Sequence, residues 1–190
     1  MQFILHTAIF LNRGVFPVKK YLHTLETSEF AACAQNCTLS SYTNGTALHF
    51  QSVCSSPEDL TRFLSTQAGS AVLLCYTYQK DYWGYYLFDQ GTEQDRFCPV
   101  PDYFGAVSPE IMAQSAGNAK ILAQYFGVSA EITTNYLRSW SSEALPQKAY
   151  DSDLHGYETA QVTDFLSALG FAHTDEEATA STVSYTHLTL

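Results

Sequence analysis

An α+β fold is predicted: an antiparallel sheet with ferredoxin-like βαββαβ order plus an added hairpin, followed by a small helical subdomain. Three observations carry this. Apolar strand-like runs alternate with two helical patterns over residues 1–100, and Gly-containing turns join neighbouring runs. After Pro99-Val100-Pro101 only helical patterns follow, through residue 171. With 190 residues, 46% hydrophobic and 14% aromatic, the chain can bury a substantial core and is no extended disordered polymer.

Phe3 to Leu11 reads as a mostly buried strand, stopped by Asn12-Arg13-Gly14. Pro17 suits a helix's first turn, and Val18, Tyr21, Leu22 and Leu25 give it one apolar face. Asn44-Gly45 reads as the centre of a type I′ hairpin, whose two central residues both need positive φ. Beyond it Leu48 and Phe50 alternate with His49 and Gln51. Ser56 caps a second helix, with Pro57 at its first position and Glu58 and Asp59 at the positive end of its dipole. Leu60, Phe63 and Leu64 form its face, and Ala68-Gly69 ends it. Residues 71–78 and 82–88 are strong strands and 96–98 a shorter one, with a turn at Asp89-Gln90-Gly91-Thr92. Gly84 inside its strand implies a bulge or the close approach of another segment.

Four short amphipathic helices are predicted next. They start at Ser108-Pro109-Glu110, Asn118, Ser129 and about Glu158, and Gly127 and Gly170 close the second and fourth. Their inward residues are Ile121, Leu122, Tyr125 and Phe126, then Ile132, Tyr136, Leu137 and Trp140, then Val162, Phe165, Leu166 and Leu169. Helices this short need a sheet to pack on. The reading divides the chain into a sheet domain (1–100), a helical subdomain (101–171), an acidic tail (172–182) and residues 183–190. That last octapeptide, VSYTHLTL, resembles translated read-through of a sequencing adapter, so it is set aside and a truncated C-terminus in a metagenomic gene is expected.

Nineteen acidic against nine basic residues give a net charge of −10, which disfavours nucleic acid as a partner. Asp175, Glu176 and Glu177 belong to the tail, leaving about −7 on the remainder. No apolar run reaches the roughly 18 residues of a membrane span. The N-terminal run has no basic residue before it and contains His6, unlike a signal peptide. The five cysteines, Cys33, Cys37, Cys54, Cys75 and Cys98, therefore read as reduced thiols in the cytoplasm.

No nucleophile elbow, phosphate-binding loop, zinc-protease helix or dinucleotide fingerprint occurs, so no catalytic residue, metal or cofactor is assigned. Cys75 reads as core, and Cys98, two residues from Arg96, is a conceivable low-pKa thiol. Asp81, Asp89, Asp95 and Asp102 sit at strand ends with Arg96 among them, which makes a candidate polar site or simply turn chemistry. Trp83, Tyr85 and Leu87 share one face of their strand, opposite Tyr82, Tyr86 and Phe88. That Trp-Tyr face is either covered by the later helices or is a candidate interaction surface.

The run D-Y-W-G-Y-Y-L-F-D-Q-G, the D-R-F and P-D-Y-F that follow, and N-A-K-I-L-A-Q-Y-F-G-V resemble an uncharacterised bacterial protein family. In it a D-x-W-G-Y strand pair precedes a helical stretch ending in L-G-[IF], here Leu169-Gly170-Phe171. The resemblance spans roughly residues 70–171 and implies a bacterial cytosolic domain without assigning an activity. The expectation is a non-catalytic protein-interaction domain of immunity-like or regulatory kind, with a protein partner. The alternative is a metal-dependent hydrolase or nuclease-like enzyme using the strand-end carboxylates.

Overall fold

The computed structural model describes residues 2–79, 81–139 and 158–172. It contains β1 (Phe3–Leu11), α1 (Val15–Glu26), a 3-10 turn (Ala31–Ala34), β2 (Thr38–Tyr42), β3 (Gly45–His49), β4 (Val53–Cys54) and α2 (Pro57–Ala68). Then follow β5 (Ala71–Tyr78), β6 (Tyr82–Asp89), β7 (Thr92–Phe97), α3 (Pro109–Gln114), α4 (Ala119–Phe126), α5 (Ala130–Thr134) and α6 (Glu158–Ala168). Residues 173–190, and with them most of the acidic tail and all of VSYTHLTL, lie outside the described residues, as does Trp140.

All the strands join one antiparallel seven-stranded sheet in the order β2-β3-β1-β5-β6-β7. Its first four members occupy the positions a βαββαβ chain dictates, and the β6–β7 hairpin extends the sheet from β5. The short β4 continues the path of β3 along β1, pairing Phe3 with Cys54 and Ile4 with Val53.

Both faces of the sheet are covered. On one, Leu5, Ala8, Phe10, Leu48, Val72 and Leu74 pack against Val18, Leu22 and Leu25 of α1 and Leu60 and Leu64 of α2. On the other, Ile9, Leu11, Leu73, Cys75, Trp83, Tyr85 and Leu87 meet Leu122 and Phe126 of α4 and Val162, Phe165 and Leu166 of α6. Double coverage explains why β1 and β5 read as nearly continuous apolar runs and not as alternating ones. In β1 the register slips between Leu5 and Thr7, so His6 is an inserted residue. That bulge puts Leu5 on the same face as Ala8 and Phe10, a switch of parity that periodicity alone does not reveal.

The helix signals act as their chemistry requires. The Ser56 hydroxyl accepts from the Asp59 N–H at 3.4 Å, and α2 ends on Gly69 in the left-handed region. Ser108, Asn118 and Ser129 likewise cap α3, α4 and α5. One inward assignment needs correction. Ile132 is 47% exposed, because α5 is only five residues long and turns Thr133 inward instead.

Two turns differ from expectation. The β2–β3 loop is Thr43-Asn44, one residue earlier than predicted, and Tyr42 pairs with Gly45. Neither loop residue has positive φ, so the turn is not type I′. Glycine is needed at 45 for another reason: a Cβ there would lie 2.3 Å from the Phe10 carbonyl oxygen. The type I′ pattern appears at Gln90-Gly91, both with positive φ, between the paired Asp89 and Thr92.

Candidate functional site

Trp83, Tyr85 and Leu87 are no interaction surface. They are 1%, 0% and 0% exposed, closed over by the C-terminal helices. The Trp83 ring lies 5.3 Å from Phe97 and 4.9 Å from Phe165, and Tyr85 stacks on Phe165 at 5.6 Å. Burying three large side chains from β6 is what the short helices need in order to dock.

The strand-end acids do not form one site either. Asp81 and Asp89 flank opposite ends of the eight-residue β6. Three of the four are instead engaged by tyrosine hydroxyls. The Tyr103 hydroxyl donates to Asp81 at 2.6 Å, Tyr125 to Asp89 at 3.1 Å and Tyr85 to Asp95 at 2.7 Å. Asp95 also accepts the Asn118 N–H that opens α4, at 2.9 Å. Burial raises the Asp95 carboxyl, while Tyr85 and the Asn118 N–H pull it back down. Arg96, its neighbour in β7, pairs with Glu93 and with Glu58 of α2. Asp102 lies in the turn between Val100 and Gly105. Among the described residues, no three His, Cys, Asp or Glu side chains are grouped for a metal ion.

Two histidines that sequence leaves unrelated are joined through β1. His6 Nδ1 lies 2.9 Å from the Thr7 hydroxyl, which lies 3.1 Å from His49 Nδ1, and His49 Nε2 is 3.1 Å from the Ser40 hydroxyl. Pairing of Thr7 and of Thr38 with His49 brings the three strands together at this level. Burial lowers His6 from 6.5 to about 4, so it sits neutral at physiological pH. Because the folded value lies below the unfolded one, His6 contributes stability above pH 6.5 that is lost as pH falls toward about 4. Urea midpoints measured across that window should fall with pH in the native sequence and fall less steeply in His6→Gln.

The thiols divide by surroundings. Cys75 is fully buried and pushed up by burial, as a core residue would be. Cys98, the conceivable low-pKa thiol, is raised to about 11 by burial, which outweighs the Val100 N–H; Arg96 is not among the groups acting on it. The exception is Cys54. The neighbouring Cys33 thiol and the N–H groups of Ser56 and Ser55 just before α2 favour its anion. Against burial and the charge of Asp59, these hold it down at about 7. Cys33 is raised correspondingly, first by its interaction with Cys54 and then by burial. No short spacing announces this pair; the 3-10 turn and the end of β4 bring it together.

Cys33 and Cys54 line an open cavity of about 730 Å³ between the 3-10 turn and α2. One wall carries the Phe30 and Phe63 rings, 5.6 Å apart. Glu29 and Asp59 line it too, and Arg62, the one basic side chain among the described residues that line it, is held by Glu58 and Asp59 at 2.7 Å each. The cavity thus combines an aromatic wall, an acidic rim and two thiols.

The chain matches no known family model, no curated protein and no solved structure. Architecture and site define a two-sided α+β protein with a thiol-lined cavity beside α2. No helix among the described residues is long and apolar enough to cross a membrane.

Proposed function

We propose that the protein is a non-catalytic binding protein of regulatory kind, and that it holds a basic segment of a partner protein in the cavity beside α2. The observation that supports this is the Phe30–Phe63 wall beside the exposed carboxylate of Glu29. Aromatic faces and carboxylates together attract Arg and Lys side chains. Arg62 opposes this little, because its charge is already met by Glu58 and Asp59. A net charge of −10 favours the same class of partner. The hydrolase alternative has less support, since Asp81, Asp89 and Asp95 are dispersed and each is engaged by a tyrosine.

Fluorescence anisotropy with a labelled arginine-rich peptide, against an acidic peptide of equal length, tests the reading. The basic peptide should bind the full chain, weaken with added salt, and lose about tenfold in affinity on Glu29→Arg. Glu29 is exposed, so that substitution leaves the core intact. Equal binding of both peptides, or indifference to Glu29→Arg, would remove the proposal.

A further inference from the structure

We propose that Cys33 and Cys54 are a redox-active pair, oxidised to a disulfide by hydrogen peroxide that enters through the cavity beside α2. Both side chains line the same cavity, and the Cys33 thiol donates to the carbonyl of Val53, the residue before Cys54, at 3.7 Å. Their segments are laced together as well. The Ser52 hydroxyl donates to the Cys33 carbonyl at 3.2 Å. Segments tied together this way hold both thiols on one cavity wall, where a disulfide can close.

The roles within the pair follow from the backbone. Only Cys54 receives N–H groups, from Ser55 and Ser56, so the anion belongs on Cys54 and the proton on Cys33. Cys37 is excluded from the first step. Its thiol donates to the Cys33 carbonyl at 3.3 Å, and burial together with Glu26 raises it to about 12. Peroxide suits the access route. Cys33 and Cys54 are only 4% and 6% exposed, and Glu29 and Asp59 disfavour anionic disulfides.

The chemistry balances without a further reactant. The Cys54 thiolate attacks one peroxide oxygen and breaks the O–O bond, giving a sulfenic acid and hydroxide. Hydroxide takes the Cys33 proton and leaves as water. The Cys33 thiolate then attacks the sulfur of Cys54, and the sulfenic oxygen departs with one solvent proton as a second water. Two thiols and one peroxide become one disulfide and two waters, the thiolate's original proton having returned from solvent. The disulfide stands independently of what the cavity binds.

The test treats the reduced full chain with hydrogen peroxide at neutral pH, quenches with iodoacetamide and reads intact mass and peptide map. The native sequence should lose two hydrogen atoms and two alkylation sites, with the bond mapped to Cys33 and Cys54. Its first oxidation should run roughly tenfold faster than that of a thiol in the denatured chain. Cys33→Ser should stop at a sulfenic acid on Cys54 that dimedone traps, and Cys54→Ser should lose the fast phase. A bond mapped elsewhere in the native sequence, or oxidation no faster than in denaturant, overturns the proposal without recourse to either variant. Peptide binding by a protein that fails this test would leave the cavity reading intact.

Discussion

Trp83→Ala should destabilise the protein by about 3–5 kcal/mol, the cost of emptying a large aromatic site in a packed core. Trp83 is 1% exposed and touches Phe97 of β7 and Phe165 of α6, so its indole joins the sheet to the helical layer. The cavity left behind would be shared between two layers, which limits how far either can collapse to fill it. Urea denaturation followed by far-ultraviolet circular dichroism measures the loss. A surface aromatic would cost within about 0.5 kcal/mol, so a small effect would contradict the burial seen for this face.

Gly84→Ala should cost about 2–3 kcal/mol, large for a single added methyl group. A Cβ at this position would stand 2.5 Å from the Phe97 carbonyl oxygen and 2.6 Å from the Tyr76 hydroxyl. The first of these is backbone in the paired strand β7 and cannot swing aside. Tyr76 is held in turn by Tyr86, stacked at 5.4 Å, and by the edge of Phe3 at 5.3 Å. The same denaturation experiment reads the effect. A loss under about 0.5 kcal/mol would mean that β6 and β7 separate more easily than their pairing implies.

Much of the fold was legible because its signals are local. Ser56-Pro57-Glu58-Asp59 begins α2 through capping and dipole chemistry that depends on four consecutive residues. Val162, Phe165, Leu166 and Leu169 mark the inward face of α6 by spacing alone. Gly84 signalled a close approach, and the approaching groups are Phe97 and Tyr76. What was illegible depends on distance in sequence. The bulge at His6 changes which face each residue of β1 meets, and its cause is the pairing with β5. The Trp83 face could be read as surface or core until the covering helices were placed. Cys33 and Cys54 belong to different elements, and they share a cavity wall only when the 3-10 turn settles against the end of β4. The carboxylates misled for a related reason. Aspartate at a strand end has the same appearance whether it awaits a ligand or receives a tyrosine from another element.

Those tyrosine–aspartate contacts bear on how the protein meets its ionic surroundings. Tyr85, Tyr103, Tyr125 and Tyr136 each donate a hydroxyl to an aspartate, and the last two fasten α4 to β6 and the end of α5 to α6. A chain with nine basic and nineteen acidic side chains has too few cations to tie its acids down by ion pairing, but it has thirteen tyrosines. A neutral hydroxyl works at contact range, where dissolved ions screen it far less than they screen two opposite charges. The attachment of one layer to the next is thereby insulated from the salinity of the medium, and the surplus negative charge stays outside to keep the molecules apart.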